Sequence, residues 1–129
     1  MPEFVDVEAL VLSLLPYDLD SGTQLPSNVP YPFIAVRKID GASPDARFYD
    51  QADVRIDVYA TSRDEAYSLA QEIRSIIWGA WDTQEVTPYG HISWLEELQS
   101  PAQHTTEHDP DGIWTFRAVY DLTIRGDGK

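Results

Sequence analysis

The stretch 52-ADVRIDVYATSRDEAYSLAQEIRSIIWG-79 decides how this chain folds. Ala52, Val54, Ile56, Val58 and Ala60 alternate with Asp53, Arg55, Asp57 and Tyr59. A period of two is the mark of a strand with one face on a core and the other toward solvent or a partner. Thr61 and Ser62 break the strand. Ser62 followed by Glu65 fits a capping box, and Asp64 adds negative charge at the positive end of the helix dipole. Ala66, Leu69, Ala70, Ile73, Ile76 and Ile77 then follow helical spacing and form one apolar stripe, with Arg63, Gln71, Arg74 and Ser75 mostly off it. Gly79 stands where a left-handed cap would end the helix. The stretch reads as strand, sharp turn, helix.

Working outward, residues 2–15 read as a first helix. Pro2 would take its first position, or Asp6 would cap a later start, and Pro16 ends it. Phe4, Val7, Leu10, Val11, Leu14 and Leu15 give it a broad apolar face. Residues 16–32 hold four of the nine prolines among Asp18, Asp20, Ser21, Gly22, Ser27 and Asn28, and read as a long surface loop that orders on assembly. Phe33–Ile39 reads as a strand, Asp40–Asp45 as a turn, and a second strand begins near Arg47 or Phe48 with a bulge near Asp50. These two strands form an antiparallel hairpin.

After Gly79, residues 80–88 are expected to be a connector carrying Trp81. Tyr89–Leu98 reads as a strand with Ile92, Trp94 and Glu96 on one side and His91, Ser93 and Leu95 on the other. A polar hairpin loop is expected over 99–112. The last strand is Trp114–Arg125, with Trp114, Phe116, Ala118, Tyr120, Leu122 and Ile124 facing one way. A frayed tail follows from Gly126 to Lys129. The expected fold is α+β: a mainly antiparallel four-stranded sheet with two helices packed on one face, in the order α-β-β-α-β-β. The whole chain, 1–129, reads as one domain. Asp53, Arg55, Asp57, Tyr59, Arg117, Val119 and Asp121 then lie on the sheet face without helices.

Composition narrows the chemistry. With 22 acidic residues against nine basic, the net charge is −13, and such a surface repels nucleic acid. The absence of cysteine removes disulfides, thiolate metal sites and cysteine nucleophiles. The apolar run Ala9–Leu15 is too short to span a membrane, and Glu3, Asp6 and Glu8 stand where a signal peptide carries basic residues.

No motif for a reaction emerges. Glycines do not cluster into a phosphate-binding loop, and no serine elbow is present. His104, Glu107, His108, Asp109 and Asp111 gather in one segment, but two histidines four apart share a face only on a helix, and this segment reads as a solvated loop. Asp109-Pro110-Asp111-Gly112 is a turn signal. Asp18, Asp20 and Gly22 imitate the start of a calcium loop, yet Thr23 and Val29 occupy the places of its glycine and glutamate. Glu96 and Glu97, adjacent on a strand, would point to opposite faces and make a poor acid–base pair. Trp78, Trp81, Trp94 and Trp114 read as core or interface residues. No metal and no cofactor is expected.

The phrases PFIAVRKIDG over 32–41 and ADVRIDVYATSRDEA over 52–66, with the order of elements around them, resemble the tail terminator (tail-completion, minor tail) proteins of long-tailed bacteriophages, including the lambda-type terminator. The resemblance runs from the first helix to the last strand. It implies a structural virion protein rather than an enzyme: a ring, commonly a hexamer, that caps the tail tube, stops its polymerisation and offers the surface that joins the head. Its partners would be other copies of itself, the tail tube protein and head–tail connector proteins. DNA would pass the lumen without specific binding, and there would be no membrane partner. The protein would be made in the host bacterial cytoplasm and reside in the neck region of the virion tail. Asp53, Arg55, Asp57, Arg117 and Asp121 are the interface or lumen candidates. Two other readings remain open: a head-closure or connector protein of the same particle, and a small α+β ligand-binding domain or enzyme.

Overall fold

Strand β3 (Tyr49–Ala60) lies in the middle of a five-stranded sheet, hydrogen-bonded on both flanks. The computed structural model describes residues 6–16, 18–45, 49–104 and 112–126. The helix positions expected over 2–5, the strand start at Arg47 or Phe48, the turn over 109–111 and the tail 127–129 lie outside them, as do Glu107, His108, Asp109 and Asp111. The elements are α1 (Val7–Leu14), β1 (Asp20–Gly22), β2 (Phe33–Asp45), β3, α2 (Arg63–Thr83), β4 (His91–Gln103) and β5 (Trp114–Arg125). The strand order is β1-β2-β3-β5-β4. Each of the pairs β2–β3, β3–β5 and β5–β4 is antiparallel, while β1 runs parallel to β2.

The α+β class is as expected, but the sheet has five strands rather than four and is mixed. The extra strand is Asp20-Ser21-Gly22, within the stretch that reads as a long loop. Asp, Ser and Gly have poor strand propensity, so nothing local announces it. It exists because the edge of β2 offers unpaired backbone groups, which it meets at Phe33, Ile34 and Ala35.

One apolar cluster joins both helices to one face of the sheet. It holds Val7, Leu10 and Val11 of α1, Leu69, Ile73 and Ile77 of α2, and the alternating set Ala52, Val54, Ile56, Val58 and Ala60 of β3. From β5 come Phe116, Ala118, Tyr120, Leu122 and Ile124, the set the alternation predicts. The phenol of Tyr120 is buried against Glu97, and both effects push its pKa up, so it stays protonated.

Caps set the helix ends. Asp6 accepts from the Ala9 amide at 3.0 Å and starts α1. Ser62 accepts from the Glu65 amide at 3.2 Å and starts α2. That second helix does not stop at Gly79. The stripe of Ile73 and Ile77 continues through Ala80 and Trp81, so burial of one more turn outweighs the conformational cost of a helical glycine. The cap is Gln84, left-handed at φ 49°, whose amide donates to the carbonyls of Ala80 and Trp81.

Three further differences come from bulges, which shift the phase of a strand. Strand β2 does not turn at Asp40. It runs on to Asp45, with irregularities between Lys38 and Asp40 and between Ala42 and Asp45; the second lies opposite Asp50, the expected place of a bulge, but the extra residue is on β2. Gly41 is required beside the first of them, since a Cβ there would sit 2.3 Å from the Gln51 carbonyl oxygen. In β4, a shift between Ile92 and Trp94 puts both Ile92 and Leu95 in the core and leaves Trp94 58% exposed. The strand continues to Gln103, into the segment expected to be loop.

Ile77→Ala is expected to lower the unfolding free energy by about 3 kcal/mol through the cavity it leaves. Ser62→Ala should cost about 1 kcal/mol through the lost cap. Urea unfolding of the two variants measures both.

Candidate interface on the open sheet face

The odd-numbered residues of β3 and β5 lie on the face away from the helices, and cross-strand register arranges that face in rows. Ala35, Asp57, Arg117 and Ala102 form one row across β2, β3, β5 and β4. The next row is Arg37, Arg55, Val119 and Gln99. After it come Asp40, Asp53, Asp121 and Glu96. All five expected interface residues, Asp53, Arg55, Asp57, Arg117 and Asp121, therefore belong to one surface, in two groups of opposite sign.

The basic group centres on Asp57, which is buried although it faces away from the core. Arg117 grips it with both ends of its fork, Nε at 2.7 Å from Oδ1 and Nη2 at 3.3 Å from Oδ2. Arg55 brings Nε to 3.2 Å from Oδ2, without the alignment of a hydrogen bond. A carboxylate shared by two guanidiniums leaves local positive charge in a strongly acidic protein. Arg37 extends that charge onto β2 and donates to the Thr23 carbonyl at 3.3 Å, tying down the segment before Leu25. Leu25, Ala35, Arg37, Arg55, Asp57 and Tyr59 enclose a small cavity of about 130 Å³.

The acidic group has no such compensation. Among the described residues none of Asp40, Asp53, Asp121 and Glu96 is in an ion pair. Gln51 donates to Asp121 Oδ2 at 3.3 Å, and the other oxygen of that carboxylate is buried with no hydrogen-bond partner. Burial first, and then the charges of Asp121, Asp40 and Glu96, push the Asp53 carboxyl above the usual aspartate value.

Arg37, Asp40 and Glu96 complete the two groups, and the sequence reading missed their part. Arg37 could have been found by extending the hairpin register from Arg55. Asp40 and Glu96 reach the face only through the bulges at Ile39 and Ser93, which leave no compositional trace. Glu97, next to Glu96, turns to the helix side and pairs with Arg74 at 2.8 and 2.9 Å. That hydrogen bond, helped by the charge of Glu97, raises the pKa of Arg74. A second concavity, about 500 Å³ and open, lies among Leu12, Leu15, Leu19, Val86 and Tyr89, where no charges converge. Among the described residues no three His, Asp or Glu side chains are placed to hold a metal ion, and no helix is long and apolar enough to cross a membrane.

Rows of fixed charge on the open sheet face give it the chemistry to pair with a complementary charged surface. The family model described as phage tail termination protein matches residues 3–126, and the chain belongs to that family. The family is one of structural phage virion proteins, not of enzymes, so this chain is a structural component of a phage tail. No curated protein matches the chain. Among solved structures, a chain described as "Virion of native gene transfer agent (GTA) particle" superposes with a TM-score of 0.54 at 15% identity. The match covers 93% of this chain and 87% of that one, a likeness of fold.

Two substitutions separate the groups. Asp57→Ala leaves two facing guanidiniums without their carboxylate and should cost about 3 kcal/mol in denaturant unfolding. Asp53→Asn should instead raise Tm at pH 7 by about 2 °C, by removing one of four like charges. Because the folded pKa is raised, protonated Asp53 favours the fold most at pH below its ordinary value. That contribution is lost as pH rises through the folded value. The advantage of the asparagine should therefore fade on acidification, which calorimetry from pH 3 to 7 would measure.

Proposed function

We propose that this chain is a tail terminator in the full sense: a ring, commonly of six copies, that seats on the end of the tail tube, stops its growth and presents the surface to which the head is joined. The observation that carries the reading is the family match across residues 3–126. The solved virion chain of similar fold supports it, since that protein too works within a multi-protein particle. Its partners would be the tail tube protein on one side and head–tail connector proteins on the other, with the chain made in the host cytoplasm and acting as one domain over 1–129.

The net charge of −13 suits a passage that DNA crosses without adhering, because phosphates find few counter-charges there. Asp53, Arg55, Asp57, Arg117 and Asp121 serve as interface residues in this reading. The arginines and carboxylates supply paired contacts between protein chains, and the basic ones are engaged by Asp57 rather than free for phosphate.

The test is genetic. Phage lacking the gene should make tails that overrun their normal length in electron micrographs. Headless tails of normal length would assign the chain to head closure instead, and complete particles would remove it from the neck altogether.

A further inference from the structure

We infer that two copies of this chain dock open face to open face about a two-fold axis that lies between the arginine row and the carboxylate row. The rows are two residues apart on β3 and β5, about 7 Å, and three residues apart on β2 and β4, where a bulge takes up the extra residue. Rotation about an axis midway between them and parallel to them exchanges one row for the other while keeping each strand over its own counterpart. Arg55 of one copy then faces Asp53 of the other, Arg37 faces Asp40, and Gln99 faces Glu96, while on β5 Val119 meets Asp121 without a charge pair. The surface is complementary to itself, as an isologous contact requires.

Three observations favour this occupant. First, each row lacks what the other provides. The carboxylates of Asp40, Asp53 and Glu96, which would meet Arg37, Arg55 and Gln99, are in no ion pair among the described residues. Arg55 is ion-paired with Asp57 at 3.2 Å, yet its Nε makes no hydrogen bond. Second, the rows span four strands, about 15 Å, and lie about 7 Å apart, a small patch that suits a weak, reversible contact and is too little for an obligate one. Third, strand addition is poorly served. The edge strand β4 carries three register shifts, and β2 carries two where it extends beyond β1. Bulged edges resist pairing, so the flat charged face is the better contact surface.

A contact of this kind closes at two copies and cannot propagate around a ring. It therefore goes beyond the tail-terminator reading and does not rest on it. In the virion it would join two rings, and in the free protein it would pair two chains.

The test uses the full chain with two exposed positions, Arg37→Asp and Asp40→Arg. Neither side chain is in the core, and circular dichroism melts would check that both variants fold. Sedimentation equilibrium at 150 mM salt should show the wild-type mass doubling from its smallest unit as concentration rises toward 1 mM. Either variant alone should weaken that doubling at least tenfold. An equimolar mixture of the two should restore it, because the reversed rows again oppose rows of the other sign. A wild type that never doubles, variants that double as well as wild type, or a mixture that stays dissociated would each overturn the inference. Tail-length control in the phage would be unaffected by any of these results.

Discussion

Because β3 is bonded to β2 on one side and β5 on the other, a slip of a single residue would exchange its faces. Five apolar side chains would go to water and Asp53, Arg55 and Asp57 into the core. An unpaired carboxylate in an apolar core is among the costliest defects a fold can carry. The register is therefore over-determined, and the rest of the molecule is fitted to it. The helices cover the apolar face because that is where the area is. On the charged face, the Asp57–Arg117 pair fastens β3 to β5 at the row where the two residues stand directly opposite.

How the elements became legible follows from the same constraint. Strands β3 and β5 keep unbroken alternation, so their faces could be read directly, and the stripe of α2 could be read with them. Strand β1 could not, since Asp20, Ser21 and Gly22 form a strand only because they meet Phe33, Ile34 and Ala35 of β2, not through propensity. The end of α2 was obscured by Gly79, a residue type that stops helices when nothing buried lies beyond it. Here Ala80 and Trp81 do lie beyond it, and Trp81 anchors the extra turn by donating to the Ser93 carbonyl at 3.2 Å. The mixed alternation of β4 was a true signal of irregularity, but alternation alone gives no position for a bulge.

The charged face was legible to the same degree. Its five named residues follow from counting odd positions on β3 and β5. That they divide into two rows of opposite sign needs the register, and that Asp40 and Glu96 join the acidic row needs the bulges. A sequence reports which residues share a strand face. It does not report what stands across from them.

The tryptophans have an optical consequence. Trp78, Trp81 and Trp94 form a chain of ring contacts, 5.7 and 5.4 Å between centroids, running from half-buried helix to exposed strand edge. Rings this close share excitation, so light absorbed by any of them is emitted from a ladder whose outer rung is in water. A partner that covers Trp94 will dry that rung. The fold thereby carries its own fluorescent label at one edge of the sheet, with no dye and no cysteine needed.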